Sequence, residues 1–164
     1  MQKSSVVDSS ALIALERANL IKFLKRINYD IIIPPAVKEE INQEKISKFL
    51  KISELKGRTL KLSKSLEHLN IGKGEAQCCA LANKLKLNFI ICDDRKFIRQ
   101  KFFSNNKQLQ NIKILGFSFF LHVFYKKQLI KNVWEYFDKI IKTNNWERSE
   151  VSVANYTFLK EIGY

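Results

Sequence analysis

Short apolar runs rich in β-branched residues alternate along this chain with stretches of helical periodicity, and no other feature of the sequence constrains the fold as tightly. The firmest run, residues 29–33, ends in three isoleucines and is stopped by Pro34 and Pro35, which reads as a buried strand. Residues 5–7 form a shorter run ending at Asp8, residues 88–92 another ending at Asp93 and Asp94, and residues 112–115 the last. Between them the apolar spacing is helical. Leu12, Ile13 and Leu15 follow the candidate N-caps Ser9 and Ser10, and Leu20, Ile21, Phe23, Leu24 and Ile27 continue the pattern. Further helices are expected over 36–43, with Pro35 in the first turn, over 46–55, over 75–85 behind Gly72 and Gly74, and over 95–103. Leu60-Lys61-Leu62 alternates as a short strand would. Strands separated by helices need crossover connections, so the sheet is expected to be parallel.

From Gly116 onward only helical patterns follow, over 119–129, 133–141 and 151–162. With 164 residues, 46% of them hydrophobic, the chain has the length of one domain and enough apolar surface for a core. The expected organisation is a single domain over 1–164, with a core over 1–116 and a helical extension over 117–164. The run 117–125 is apolar nearly all round, so it belongs in the core or forms part of a self-association face with a second copy; Trp134 and Trp146 read as packing residues. No apolar stretch approaches the length of a membrane span, and the Gln2-Lys3 start does not read as a signal peptide. The three cysteines lack metal-ligand spacing and suit a reducing compartment, so a soluble cytoplasmic protein without a membrane partner is expected. Lys and Arg total 29 against 16 Asp and Glu, a net charge of +13 that favours anionic partners such as nucleic acid, although a lysine-biased composition produces the same excess.

Four acids stand apart from those scattered among lysines. Asp8 ends the first strand, Glu40 follows the second, Glu75 opens the helix behind the glycine pair, and Asp94, beside Asp93, follows the next strong strand. Any one of them is explained by the helix dipole, which stabilises a carboxylate in a first turn. Four of them, 32, 35 and 19 positions apart, could meet where the strands of a parallel sheet end. In a chain this basic, a pocket of carboxylates costs mutual repulsion that a hard divalent cation, Mg²⁺ or Mn²⁺, removes.

The segments Val6-Val7-Asp8-Ser9-Ser10, Pro35-Ala36-Val37-Lys38-Glu39-Glu40, Gly74-Glu75-Ala76 and Cys92-Asp93-Asp94-Arg95-Lys96-Phe97 together resemble a PIN domain, and the tail resembles that of a stand-alone prokaryotic subgroup with added C-terminal helices. The resemblance implies a three-layer α/β/α fold with a central parallel sheet and a Mg²⁺- or Mn²⁺-dependent ribonuclease, the best-known relatives being VapC-type toxins whose partner is an antitoxin protein. Carried over position by position, it implies metal ligation and catalysis by Asp8, Glu40, Glu75 and Asp94, with Asp93 able to share the metal and Ser10 supporting Asp8. Cys92 stands where the family commonly has Thr. The resemblance selects Glu40 over Glu39.

Several other readings fall away. Gly72-x-Gly74 lacks the further Gly and the Lys-Ser/Thr pair of a phosphate loop and reads as a turn placing Glu75. A phosphatase would want a second Asp where Ser10 stands. His68 and His122 lie near no motif and read as surface or packing residues, which a metal-carboxylate mechanism allows. Arg95, Lys96, Arg99 and Lys101 follow the fourth acid and are candidates to hold the RNA backbone, or form an ordinary solvated face. A nucleic-acid-binding or scaffold protein without turnover, and an RNA-processing or DNA-directed nuclease, are the alternatives; the intact acidic set favours an enzyme.

Overall fold

The computed structural model describes residues 3–41, 50–94 and 109–164. Among these residues the strands are β1 (Lys3–Val7), β2 (Tyr29–Ile33), β3 (Leu50–Ile52), β4 (Phe89–Ile91) and β5 (Lys113–Leu115). They form one sheet in the order β3-β2-β1-β4-β5, every neighbouring pair parallel. Helices α1 (Ser9–Arg17), α2 (Pro35–Glu40), α3 (Arg58–Glu67), α4 (Lys73–Lys84), α5 (Ser118–Lys126), α6 (Val133–Thr143) and α7 (Glu150–Glu161) accompany it, with a 3₁₀ helix over Ile21–Arg26. Helices lie on both faces, which is the three-layer α/β/α arrangement the sequence leads one to expect.

The central strands are buried on both faces, and their composition follows from that. Val6, Val7, Ile31, Ile33, Ile90 and Ile91 are all in the core. Helix α4 lies against β1 and β4, its Cys78 thiol standing 3.8 Å from Val7 O, and its residues 76–82 are all buried. The run 117–124 is largely core, with Tyr125 exposed: Phe117, Phe120 and Phe124 are fully buried, and the Trp146 ring stacks on Phe117 at 6.1 Å between centroids. Helix α6 packs on α1 and α5, and α7 on α5, so the C-terminal helices are built onto the sheet's own helical layer. The three cysteines are free and buried. No helix among the described residues is long and apolar enough to cross a membrane.

Two sequence expectations are corrected. Residues 50–52, expected inside a helix, form β3, whose partners on β2 are Ile31, Ile32 and Ile33. The segment sits at the sheet edge with Lys51 and Ile52 exposed, so its pairing is set by the neighbouring strand rather than by its own pattern. Residues 53–55 of that expected helix carry no regular structure, and 46–49 lie outside the described residues, as does the expected helix over 95–103. Residues 60–62, expected as a strand, lie in α3, which buries Ser63 and Leu66 and leaves Leu60 exposed. Three alternating residues fit either period, and packing against α4 selects the helix.

Candidate active site

The chain leaves β1 towards β2 on one side and returns to β4 on the other, so β1 and β4 are neighbours whose crossovers diverge. In a parallel sheet such a switch point opens a crevice at the C-terminal ends of the strands. Asp8 stands at that point, 3% exposed, and its N–H donates to Ile91 O at 2.8 Å, continuing the ladder one step beyond β1.

Asp8, not Ser9 or Ser10, is the N-cap of α1: its Oδ2 accepts the Ser10 N–H at 3.1 Å. An Asp at the end of a strand is extended already, so it caps the helix that starts there without rearrangement. Ser10 Oγ donates to the same oxygen at 2.7 Å and accepts the Asp93 N–H at 2.8 Å. The Cys92 thiol lies 3.6 Å from Asp8 Oδ2, and its sulfur accepts the Asp94 N–H at 3.4 Å. The loop after β4 is therefore bonded to Asp8 through one hydroxyl and one thiol.

Glu40 closes α2, and its Oε2 accepts a short hydrogen bond from Ser9 Oγ. Pro34 leaves the start of α2 without a side-chain cap, and the buried Gln77 of α4 supplies one, its Oε1 accepting the Ala36 N–H at 3.0 Å. That bond ties the helix carrying Glu40 to the helix carrying Glu75. Glu39 points elsewhere: its side chain is 70% exposed and stands 3.5 Å from Lys73 Nζ.

Helix α4 delivers the third acid. A methyl group at Gly74 would lie 3.2 Å from Glu40 Oε1 and 3.3 Å from Asp8 Oδ1, so the two carboxylates close over this residue and leave a cradle where a side chain would stand. Glu75, in the first turn, folds back so that its carboxylate rests against Gly72. Burial, then the charges of Asp8, Asp94 and Glu40, push its pKa up to about 7, against the pull of its own backbone N–H. The four acids thus share one electrostatic neighbourhood.

Asp93 and Asp94 divide at the end of β4. Asp93 is fully enclosed, its Oδ2 accepting the Phe117 N–H at 2.9 Å and its Oδ1 the Asn155 amide at 2.8 Å. Burial, opposed by those two donors, holds its pKa at about 7. Its carboxylate faces the C-terminal helices; Asp94 is the half-buried member of the pair, and its charge is felt by Glu75. Arg95, Lys96, Arg99 and Lys101 lie outside the described residues. His68 is exposed, and His122 Nδ1 stands 3.2 Å from the Tyr164 hydroxyl, away from the acids.

The sequence marks Ser9 only as a candidate cap, and does not mark Gln77 or Asn155. Gln77 carried a signal: a polar residue inside the small, buried face of α4 must have a partner.

The donor set consists of carboxylate oxygens, which suit a hard divalent cation, and the cradle at Gly74 provides space between two of them. In this conformation no three His, Cys, Asp or Glu side chains among the described residues stand close enough together to hold one ion, Glu75 being turned onto Gly72.

No curated protein matches the chain. A family model described as a PIN domain matches residues 4–161, from the start of β1 to the end of α7, and the chain accordingly belongs to the PIN-domain family, whose members are generally nucleases.

Proposed function

We propose that the protein is an endoribonuclease dependent on Mg²⁺ or Mn²⁺, with Asp8, Glu40, Glu75 and Asp94 as its acidic set, and that it serves as the toxin of a toxin–antitoxin pair. The observation that carries the reading is the approach of Asp8 and Glu40 across Gly74, with Glu75 and Asp94 in the same field, at the switch point of a parallel sheet. PIN-domain nucleases are generally dependent on divalent metal, and a basic chain that gathers carboxylates here has a reason to do so only if their charge is used.

Each residue has a part. Asp8 and Glu40 would hold the cation, with Glu75 and Asp94 completing the set. A divalent cation bound there would supply positive charge against the attacked phosphate and a water of lowered pKa. Ser10 keeps Asp8 oriented by spending its hydroxyl proton on Oδ2. Ser9 does the same for Glu40, and Gln77 fixes the helix that presents it. Cys92 takes the place of a hydroxyl beside Asp8, and its buried thiol, pushed well above its ordinary pKa, stays neutral and donates.

The test is turnover of a fluorogenic RNA with Mn²⁺, by the wild type and by Asp8→Asn. Cleavage by the first and none by the second supports the reading; no cleavage by either, with the fold intact, rejects it. The toxin role is tested separately by expression in cells, where growth arrest must depend on the same aspartate and be relieved by a small protein encoded beside the gene.

A further inference from the structure

Helices α3 and α4 form an antiparallel hairpin whose charge is strongly polarised. Its acids lie at the connected end, Glu67 closing α3 and Glu75 opening α4. Residues 55–66 and 76–92 contain no Asp or Glu, yet they place Lys56, Arg58, Lys61, Lys84 and Lys86 towards the open end, with Lys64 further along in the last turn of α3. A surface cleft of about 540 Å³ lies there, between the start of α3 and the end of α4. Arg58, Lys61 and Lys84 line it, with Thr59 and Asn83 supplying neutral hydrogen-bonding groups.

Nothing in the packing accounts for this arrangement. Arg58, Lys61 and Lys84 are exposed, and none of them pairs with a carboxylate among the described residues. Arg58 occupies the first turn of α3, where the helix dipole disfavours a cation and no acid offsets it. Three like charges around one cleft repel one another, and a polyanion lying in the cleft would remove that repulsion.

We propose that this cleft binds the phosphodiester backbone of substrate RNA at a distance from the cut, an inference that rests on the ribonuclease reading above. The nine residues from Glu75 to Lys84 rise about 14 Å along α4, so the cleft lies beyond the reach of the nucleotides at the scissile bond and within reach of a longer strand. Contacts from lysine and arginine to phosphate position a strand without reading its bases, so the cleft adds affinity for length rather than for sequence. Net charge alone would spread such affinity evenly over the surface, whereas a cleft of this kind would concentrate it at one hairpin end.

The experiment compares three full-length proteins, each carrying Asp8→Asn so that RNA is not consumed: the parent, the cleft triple Arg58→Gln/Lys61→Gln/Lys84→Gln, and the control triple Lys127→Gln/Lys139→Gln/Lys142→Gln, which removes the same charge elsewhere. Binding of a labelled 12-nucleotide RNA is measured from low to high KCl, with polyglutamate as a second ligand. The cleft triple should lose about tenfold in RNA affinity at low salt, and its log–log salt slope should shrink by about 2, at roughly 0.7 per phosphate contact for a single strand. The control triple should lose less than about threefold. Equal losses in the two triples overturn the proposal, because net charge then explains both. A matching loss for polyglutamate also overturns it, since the cleft then takes acidic polypeptide. If the triple does not fold, Lys84→Gln alone must lower the slope by about 0.7. If the wild type cuts RNA and the parent binds it no better than the cleft triple does, only this proposal falls; if the wild type does not cut RNA and the parent does not bind it, the ribonuclease reading falls with it.

Discussion

Asn155, in α7, donates from Nδ2 to Oδ1 of Asp93 at 2.8 Å, joining residues 62 apart in sequence at a fully buried point. The same amide donates to Val151 O at 2.9 Å and accepts the Ser118 N–H at 2.9 Å. Asp93 accepts the Phe117 N–H on its other oxygen, and its own N–H reaches Ser10, which holds Asp8. A bonded path therefore runs from the last helix to the first acid. Gly116 makes room for it, since a side chain there would collide with both Asn155 and Asp93.

Replacing that amide tests the path. Asn155→Ala leaves the Ser118 N–H and Asp93 Oδ1 without partners in a site that water does not enter, at about 1–3 kcal/mol for each buried group. Stability from urea unfolding should fall by about 2–6 kcal/mol in total, with Asn155→Asp at least as damaging because it sets two carboxyl groups against each other. A loss below about 0.5 kcal/mol, the size of an ordinary surface change, would mean that the junction is not closed in solution.

The raised pKa values of Asp93 and Glu75 give a pH dependence whose sign is fixed. Both stand near 7 in the folded chain, above the ordinary 3.8 and 4.5. Between those values the folded chain holds protons that the unfolded chain has released, so their contribution is complete at low pH and is lost as pH rises towards 7. Glu75 is partly exposed, and solvent screening reduces its share, leaving Asp93 as the larger. In EDTA, the stability of the wild type minus that of Asp93→Asn should decrease from about pH 4 through pH 7 and flatten above about pH 8. Thermal melts across that range decide it, and a difference that grows with pH contradicts the placement of Asp93.

How much of this was legible in the sequence depended on how local each signal was. The strand ending at Asp8 and the isoleucine run before Pro34 carry their period and their stop signals within a few residues, so they were readable, and with them the parallel sheet. Residues 50–52 were not, because an edge strand is defined by its neighbour. The resemblance favoured Asp94 over Asp93, but the enclosure of Asp93 was not legible: it is set by Asn155, 62 residues away, and by the Phe117 N–H, and no spacing rule connects those positions. The identity of the cap at α1 failed for a subtler reason. Asp8, Ser9 and Ser10 are all good caps, and the strand register, not the residue types, decides which one sits at the boundary.

Adjacent glutamates offer a sharp comparison at the end of α2. Both are exposed, but Glu40 receives Ser9 Oγ and faces the Gly74 cradle, whereas Glu39 stands beside Lys73. Glu40→Gln should abolish RNA turnover with Mn²⁺, since an amide keeps the shape and removes the anionic oxygen. Glu39→Gln should keep turnover within about twofold and stability within about 0.5 kcal/mol, as expected for an exposed ion pair. Equal loss in both variants would show that the assignment of the second acid is off by one.

Gly74→Ala probes the cradle without touching an acid. The residue lies in the first turn of α4, where alanine is favoured over glycine by up to about 1 kcal/mol. Its methyl group would stand 3.2 Å from Glu40 Oε1 and 3.3 Å from Asp8 Oδ1, close enough to make both carboxylates give way by a few tenths of an ångström. The gain and the cost are similar in size, so in EDTA the variant should match the wild type to within about 1 kcal/mol. Metal separates the two proteins. A ligand that binds only the folded chain stabilises it by RT ln(1 + [L]/Kd), about 2.7 kcal/mol at a hundredfold excess over Kd, and the wild type should gain on that scale with saturating Mn²⁺. The methyl group occupies the space between the two oxygens, so Gly74→Ala should gain much less and lose RNA cleavage in proportion. Paired melts with EDTA and with Mn²⁺ measure both quantities on the same samples. If the variant gains as much as the wild type, the cation does not sit between Asp8 and Glu40; if neither gains, the carboxylates bind no metal and the ribonuclease reading loses its chemical basis.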